Sequence, residues 1–413
     1  MLGSPAVENE ATKDSTPARP SVPRVGLLIE TQVGPGRDIL RGVARYVREG
    51  GPWALHLEAR NQMFQEGWEP AWLNNWEGHG IIARFETSTI VNAVRRAGVP
   101  AVDVLGDAKD RHFPLVHVDD HAIARTAALH LLDRGFTQFG FVARANEPWS
   151  DKRLAGFSRA VGERGFTCSV LQAGDLDELP EEWDSFIGQT AAWIAAQPKP
   201  LGLMLCSDRI GPLVTQACRQ AGVAVPEEVA MIGVDNDEPL CAICDPPLTS
   251  VDPNHEEVGY QAAALLDKMM AGEPWPTVPT LVAPRTVVVR QSSDISAIDD
   301  PIVSFALSMI REHACSGLQV RDVAEHAPVS RSVLQRRFRA VLGRSVHDEI
   351  VRMQLRKAQE LLSETDLPLR TVAEKAGFNH QEYMGAVFKT RLGMTPGQYR
   401  RREQPGKATA DAD

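Results

Sequence analysis

The sequence predicts an α/β part built on parallel sheets, followed by an all-α part carrying two helix-turn-helix motifs. Three observations predict this. Short apolar runs alternate with helix-period segments as far as Arg290. Beyond Arg290 no convincing strand appears, and helical periodicity continues to Glu403. That second part also repeats itself, Val320 onward matching Leu369 onward.

The elements follow in order. Residues 1–22 are rich in Ala, Ser, Thr, Pro and charge and read as a disordered tail. Val25–Glu30 is an apolar run bounded by turn residues, which suits a buried parallel strand. Ile39, Leu40, Val43, Ala44 and Val47 then keep helical spacing. Further strands are expected at Ala54–Leu57, Gly80–Ala83, Val99–Val104, Phe139–Ala143, Leu201–Cys206, Val229–Val234 and Val287–Val289. Between them lie helix-like segments at Ala122–Asp133, Arg153–Arg164, Thr190–Ala196, Gly211–Ala221 and His255–Ala271. Such alternation indicates parallel sheets with helices on both faces. Residues 23–290 are long for one such unit, so two lobes with a cleft between them are expected. Ligands of these folds bind at the carboxyl ends of strands.

Residues 291–300 are Ser/Asp-rich and read as a linker. In residues 301–403, Val320-Arg-Asp-Val-Ala-Glu-His-Ala327 lines up with Leu369-Arg-Thr-Val-Ala-Glu-Lys-Ala376. Further on, Phe338 and Leu342-Gly343 match Phe388 and Leu392-Gly393. Each unit reads as a short helix, a tight turn and a second helix. The second helix of the first unit starts after Ser330, with Leu334, Phe338, Val341 and Leu342 as its apolar stripe. Arg331, Ser332, Gln335, Arg336 and Arg339 share another face, suited to reading bases and holding phosphates in a major groove. In the second unit His380, Gln381, Glu382 and Lys389 form the weaker counterpart, with Tyr383, Met384 and Phe388 packing inward. Val346–Leu362 reads as a connecting helix that sets the spacing of the two readers. Residues 404–413 read as a second disordered tail.

Composition bounds the function. The chain has 413 residues, 43% hydrophobic and 24% charged, ample for packed cores and unlike a collagenous or disordered chain. Its net charge is −10, which taken whole argues against a generic nucleic-acid coat. The acid is concentrated in residues 1–300, whereas residues 301–403 are basic and Ser330–Arg344 holds Arg331, Arg336, Arg337, Arg339 and Arg344 with no acid. Six cysteines are too few for a disulfide framework and suit reduced, mostly buried thiols. No secretory signal or membrane-length apolar run is evident, so a cytoplasmic location is expected.

A bound sugar needs carboxylates and Arg for its hydroxyls and an aromatic for its apolar face. Arg153, after a strand and loop, and Asp235, closing the run Val229–Val234, are the leading candidates. Asp208, Asp119, Arg37 and Asp38 are further candidates, and Trp149 is the candidate platform. The bland reading of each is a surface ion or a helix N-cap. His117, Asp119, Asp120 and His121 do not make a convincing metal site, with Asp120 expected to cap the following helix. Cys241-Ala-Ile-Cys244 lacks a second Cys pair and reads as a loop. Trp68, Trp72 and Trp76 at spacings of four read as the packed face of a helix. The acid-rich stretch Asp175–Asp184 reads as a solvated loop. No phosphate-binding loop or nucleophile–base set is present, and neither cofactor nor metal is expected.

Two resemblances refine this. Leu334-Gln-Arg-Arg-Phe-Arg, Ala358-Gln-Glu-Leu-Leu-Ser-Glu-Thr-Asp, Val372-Ala-Glu-Lys-Ala-Gly-Phe and Gly393-Met-Thr-Pro-Gly-Gln-Tyr-Arg-Arg resemble the AraC-type DNA-binding signature. That resemblance implies base reading by Ser332, Gln335 and Arg336, and by Gln381, Glu382 and the Ala386 position, where relatives often carry Arg. Arg153-Leu-Ala-Gly-Phe157, Cys206-Ser-Asp208, Val225–Asn236 and Pro247-Leu-Thr-Ser-Val251 resemble the LacI-type, periplasmic-binding-protein-like (type I) effector domain. It implies ligand contacts at Arg153 and Asp235. The fusion, with Leu40-Arg-Gly-Val-Ala-Arg-Tyr46 and Ile310-Arg-Glu-His-Ala-Cys-Ser-Gly317, is similar to the pentose-operon regulators. The implied function is a D-xylose-switched transcription activator. Its implied partners are promoter DNA, RNA polymerase and a second copy of the chain. A sensor of another sugar or a nucleoside is the near alternative. A sugar-modifying enzyme using Asp208 and Asp235 as acid and base is the alternative of a different class.

Overall fold

The computed structural model describes residues 22–58, 67–106, 112–174, 182–294 and 300–404. Both expected tails therefore lie outside the described residues except at their inner ends, as do 175–181 of the acidic stretch and 295–299 of the expected linker. The chain forms two compact units. The first comprises residues to Val118 together with Asn254–Val282, and the second comprises Asp119–Pro253 with everything from Ala283.

The chain runs β1 (Arg24–Leu28), α1 (Gly34–Gly50), β2 (Ala54–Leu57), β3 (Gly80–Ala83), α2 (Ser88–Ala97), β4 (Ala101–Val104) and β5 (Leu115–Val118). It continues with α3 (Asp120–Leu132), β6 (Gln138–Arg144), α4 (Pro148–Gly162), β7 (Cys168–Ala173), α5 (Glu182–Ala196) and β8 (Leu201–Leu205). Then come α6 (Gly211–Gln220), β9 (Val229–Val234), α7 (Glu238–Ile243), β10 (Thr249–Asp252), α8 (His255–Met270), β11 (Thr280–Val282) and β12 (Thr286–Val288).

The first unit has one six-stranded sheet in the order β11-β5-β4-β3-β1-β2, with every pairing parallel. Strands β3, β4 and β5 are wholly buried, as an apolar run between two helical layers must be. Helices α1 and α8 pack very closely. A Cβ on Gly42 would lie 1.9 Å from the Glu256 carbonyl, and one on Gly259 would lie 2.0 Å from that of Ile39. Arg45 clamps Glu256 and Glu257 at 2.7 and 2.8 Å and sits over the Tyr260 ring. Substituting Gly42 by Ala must push the helices apart, so we expect a stability loss of about 1–3 kcal/mol. Thermal unfolding checks this, and an unchanged Tm would refute the packing.

The second unit carries a sheet in the order β12-β10-β9-β8-β6-β7, parallel except for β12. Helix α3 packs on α4, and α5 on α6. Strands β8 and β9 are fully buried. The same unit holds the helical reader: α9 (Pro301–His313), α10 (Val320–His326), α11 (Arg331–Leu342), α12 (Val346–Glu364), α13 (Leu369–Lys375), α14 (Gln381–Leu392) and α15 (Pro396–Glu403).

Two cores build the reader. Val303, Ile310, Val323, Leu334, Phe338 and Ile350 form one, and Leu355, Leu362, Val372, Phe378, Met384 and Phe388 form the other. Helix α12 contributes to both. At its middle the buried Gln354 donates to the carbonyls of Ala314 and Gly377, at 3.0 and 2.8 Å, joining the two halves. The matched glycines Gly343 and Gly393 close α11 and α14 in the left-handed conformation, at φ 67° and 72°.

Several expectations need correction. Only residues 71–75 of the Trp stretch are helical, as a 3₁₀ turn, although Trp68, Trp72 and Trp76 do pack against the core around Leu28 and Ile81. Cys241 lies in α7 rather than a loop, and its thiol donates to the buried Asp208 carboxylate at 3.3 Å. Gln291–Ser293 are not linker but a 3₁₀ turn with Ser292 and Ser293 fully buried. Val341 (44% exposed) and Tyr383 (42% exposed) face outward, since the cores are already filled by Phe338 and Phe388.

Candidate effector site and DNA reader

The carboxyl ends of β8 and β9 and the first turn of α3 converge on Arg153. This side chain is only 5% exposed and is held on three sides. Its Nε donates to Asp120 Oδ1 at 2.8 Å, and its Nη1 to the Cys206 carbonyl at 2.7 Å. Nη2 lies 3.9 Å from Asp235 Oδ1. The Trp149 ring covers the guanidinium at 4.8 Å, its indole N–H held by Glu147. Burial opposes the charge on Arg153, but Asp120 and Asp235 outweigh it and hold its pKa above the ordinary value.

Asp235 follows β9 with φ at 107°, and Asn236 follows at 50°. Non-glycine residues in this region store strain, of order 1–3 kcal/mol each, and cluster at functional sites. Burial pushes the Asp235 carboxyl up to about 7, with Arg153 pulling the other way.

Asp208 sits elsewhere than expected. Both of its oxygens accept from Ser250 Oγ, at 2.8 and 2.9 Å, and Oδ2 also accepts from the Asp237 amide at 2.9 Å. It is fully buried, and burial, then the neighbouring charge of Asp235, pushes its pKa well up. It braces the loop that presents Asp235 rather than facing a ligand. The enzyme-like pairing of Asp208 with Asp235 is thereby corrected, because Asp208 has no exposed face.

Asp119 takes its bland reading: its Oδ1 caps α3 by accepting from the Ala122 amide at 2.9 Å. Its neighbour Asp120 was expected to be that cap, yet it is the residue that meets Arg153. In the first unit Arg37 donates to the carbonyls of Thr31 and Gln32 at the foot of α1. Asp38 pairs with Arg41 one turn on. The strand ends of that unit hold a cluster that sequence reasoning missed. The buried Glu30 takes Arg84 at 2.6 Å, Arg84 also engages Glu86, and Asp103 accepts from the Phe85 and Gly106 amides at 3.2 and 3.1 Å. Burial pushes Asp103 up to about 7. The signal was available, since each of these residues lies within or just after an apolar run. Ser207, just past β8, is also buried and its Oγ makes no hydrogen bond among the described residues.

In the reader, Arg331, Ser332, Gln335, Arg336 and Arg339 are all exposed on α11. Of the five arginines in this segment, two are occupied: Arg337 reaches Asp300 at 3.4 Å and Arg344 engages Glu349. Among the described residues Arg331, Arg336 and Arg339 make no ion pair. On the second reader helix and its N-cap, His380, Gln381, Glu382, Ala386 and Lys389 are exposed, while Arg391 is paired with Asp348 at 2.9 Å. The outward face of α11 is thus cationic, and that of α14 nearly neutral.

Buried charge gathered at strand ends and a tandem helix-turn-helix define a DNA-binding transcription regulator with a sugar-sensor-type domain. Comparisons with known proteins agree. Residues 24–121 match the XylR N-terminal domain model, 128–293 a periplasmic binding protein-like domain and 323–402 a helix-turn-helix domain. The xylose operon regulatory protein of Escherichia coli K12 is 30% identical over 385 residues, covering 91% of this chain and 96% of its own. That of Haemophilus influenzae is 28% identical over 385 residues, covering 91% and 98%. The solved structure of a xylose-binding transcription activator, xylR, superposes with TM-score 0.79 at 29% identity, over 93% of this chain and 99% of that one. The chain belongs to the xylose operon regulatory protein family.

Proposed function

We propose that this chain senses D-xylose and activates the genes for its use. The observation that carries this is the Arg153 guanidinium, buried between Asp120 and Asp235 under the Trp149 ring. A pyranose or furanose can set adjacent hydroxyls against Asp235 and Arg153 and its C–H face against Trp149. The relatives' names supply the pentose. Arg331, Ser332, Gln335, Arg336 and Arg339 are assigned to DNA, with His380, Gln381, Glu382 and Lys389 as the weaker second reader. Exposure and free charge support these assignments. A homodimer presenting four reader helices, contact with RNA polymerase and a cytoplasmic location complete the reading. Among the described residues no helix is long and apolar enough to cross a membrane.

A thermal-shift panel of pentoses, hexoses and nucleosides tests the reading. D-xylose at 100 times its Kd should add about 2.7 kcal/mol of stability, and Arg153→Ala should abolish the shift. A shift with a nucleoside and none with any pentose would overturn it.

A further inference from the structure

The segment that leaves the sensor for the reader is wired to the loop carrying Asp235. Arg290 Nη2 donates to Asn236 Oδ1 at 2.8 Å, and Nη1 to the Leu248 carbonyl at 3.0 Å. The Arg290 amide donates to Thr249 Oγ1 at 2.9 Å, and Ser293 Oγ donates to the same atom at 2.8 Å. Ser292 Oγ donates to the Met231 carbonyl at 2.7 Å and accepts from the Thr249 amide at 2.8 Å. Arg134 holds the Ser293 carbonyl at 2.9 Å. The next residue, Asp294, reaches the reader: its carboxylate pairs with Arg356 and lies 3.8 Å from Arg352, both on α12. A second tie is more deeply buried. Glu227, just before β9, accepts from Arg311 of α9 through Oε1, at 3.1 Å to Nε and 2.5 Å to Nη2. Its side chain is fully buried.

We propose that residues 290–294 transmit effector occupancy to the DNA reader. A ligand that fixes Asp235–Asn236 fixes Arg290. Thr249 and Ser293 carry that restraint to Asp294, which orients α12. The Glu227–Arg311 pair is the fixed point about which α12 is oriented. Helix α12 is the right receiver, since it belongs to both cores of the reader. The physical requirement is an element whose two arrangements differ in affinity for both ligands. This inference rests on the effector site proposed above.

The test uses the full chain and a labelled duplex selected from a random library by the wild-type protein. DNA affinity is measured by anisotropy with and without saturating D-xylose, and D-xylose affinity is measured separately. Wild type should show a ratio of DNA affinities within the 5–150-fold range usual for allosteric coupling. Asp294→Ala, Arg356→Ala and the double variant should each bind D-xylose as wild type does, yet bring the ratio to within about twofold of one. Equal ratios in the double variant and in Asp294→Ala are expected, because removing Asp294 already breaks the Arg356 contact. Normal sugar binding with an unaltered ratio in Asp294→Ala and Arg356→Ala would overturn this inference alone. A wild-type chain that bound no pentose would overturn the effector reading and with it the start of the chain of contacts.

Discussion

Asp235→Asn is expected to weaken D-xylose binding by on the order of 10²-fold while making the sugar-free protein more stable above neutral pH. The loss follows if the carboxylate is the proposed acceptor of two sugar hydroxyls, each charged hydrogen bond contributing roughly 1.5–3 kcal/mol. The gain follows from linkage. Burial raises the Asp235 pKa from its ordinary value to about 7 in the fold. A raised carboxyl contributes its full stability below the unfolded pKa and loses it as pH rises through the folded one. The wild type should therefore lose stability between about pH 4 and 7, and the Asn variant should not. Tm of the two should lie closest at about pH 4 and below and diverge by pH 8, with the variant higher. D-xylose affinity should rise with pH up to about 7 in the wild type, since the ionised carboxylate is the acceptor. It should stay flat in the variant. A variant less stable at pH 8 than at pH 5 by as much as wild type would show that Asp235 is not the titrating group.

Truncating the first reader helix should cost far more than truncating the second. Arg336→Ala is expected to cost about 1–3 kcal/mol of DNA affinity and to relax sequence preference at one base position. Arg339→Ala, a candidate phosphate contact, should lower the salt slope of binding by about 1 and weaken all sequences alike. Gln381→Ala and Lys389→Ala should each change affinity less than Arg336→Ala. The reason is charge already committed: Arg391 beside Lys389 is bound to Asp348, and Glu382 faces outward with a negative charge. Equal losses from the two helices, read by anisotropy at fixed salt, would contradict this ranking.

Much of this architecture was legible in the sequence, and the misses have physical causes. Gly80–Ala83 and Val229–Val234 are strands at the expected residues because buried parallel strands are uninterrupted apolar runs. Strand β7 was missed because it lies at a sheet edge, where much of Cys168–Ala173 is exposed and need not be apolar. At the site, Arg153 and Asp235, the two positions the resemblance singled out, lie 3.9 Å apart. Asp119 and Asp120 exchanged roles because a shift of one residue at a helix start turns a cap into an inward side chain, and composition does not report it. Asp208 looked like a ligand contact because it follows a strand, but the next loop folds over it, and that depends on Ser250 and Cys241, distant in sequence. Residues 291–293 of the expected linker failed in the same way: serine suggests exposure until Thr249 and Met231 supply partners.

Helix α12 carries one more consequence, and it concerns the operator. Its side chains close the cores of both helix-turn-helix units, and Gln354 bonds across the junction. The two reading heads are therefore one rigid ruler. An extra base pair between the half-elements would turn one of them by roughly 35° around the DNA axis, taking 10–10.5 base pairs per turn. A ruler of this stiffness cannot follow. Point changes in the operator should weaken binding by degrees, whereas a single insertion between its two elements should leave only one of them read.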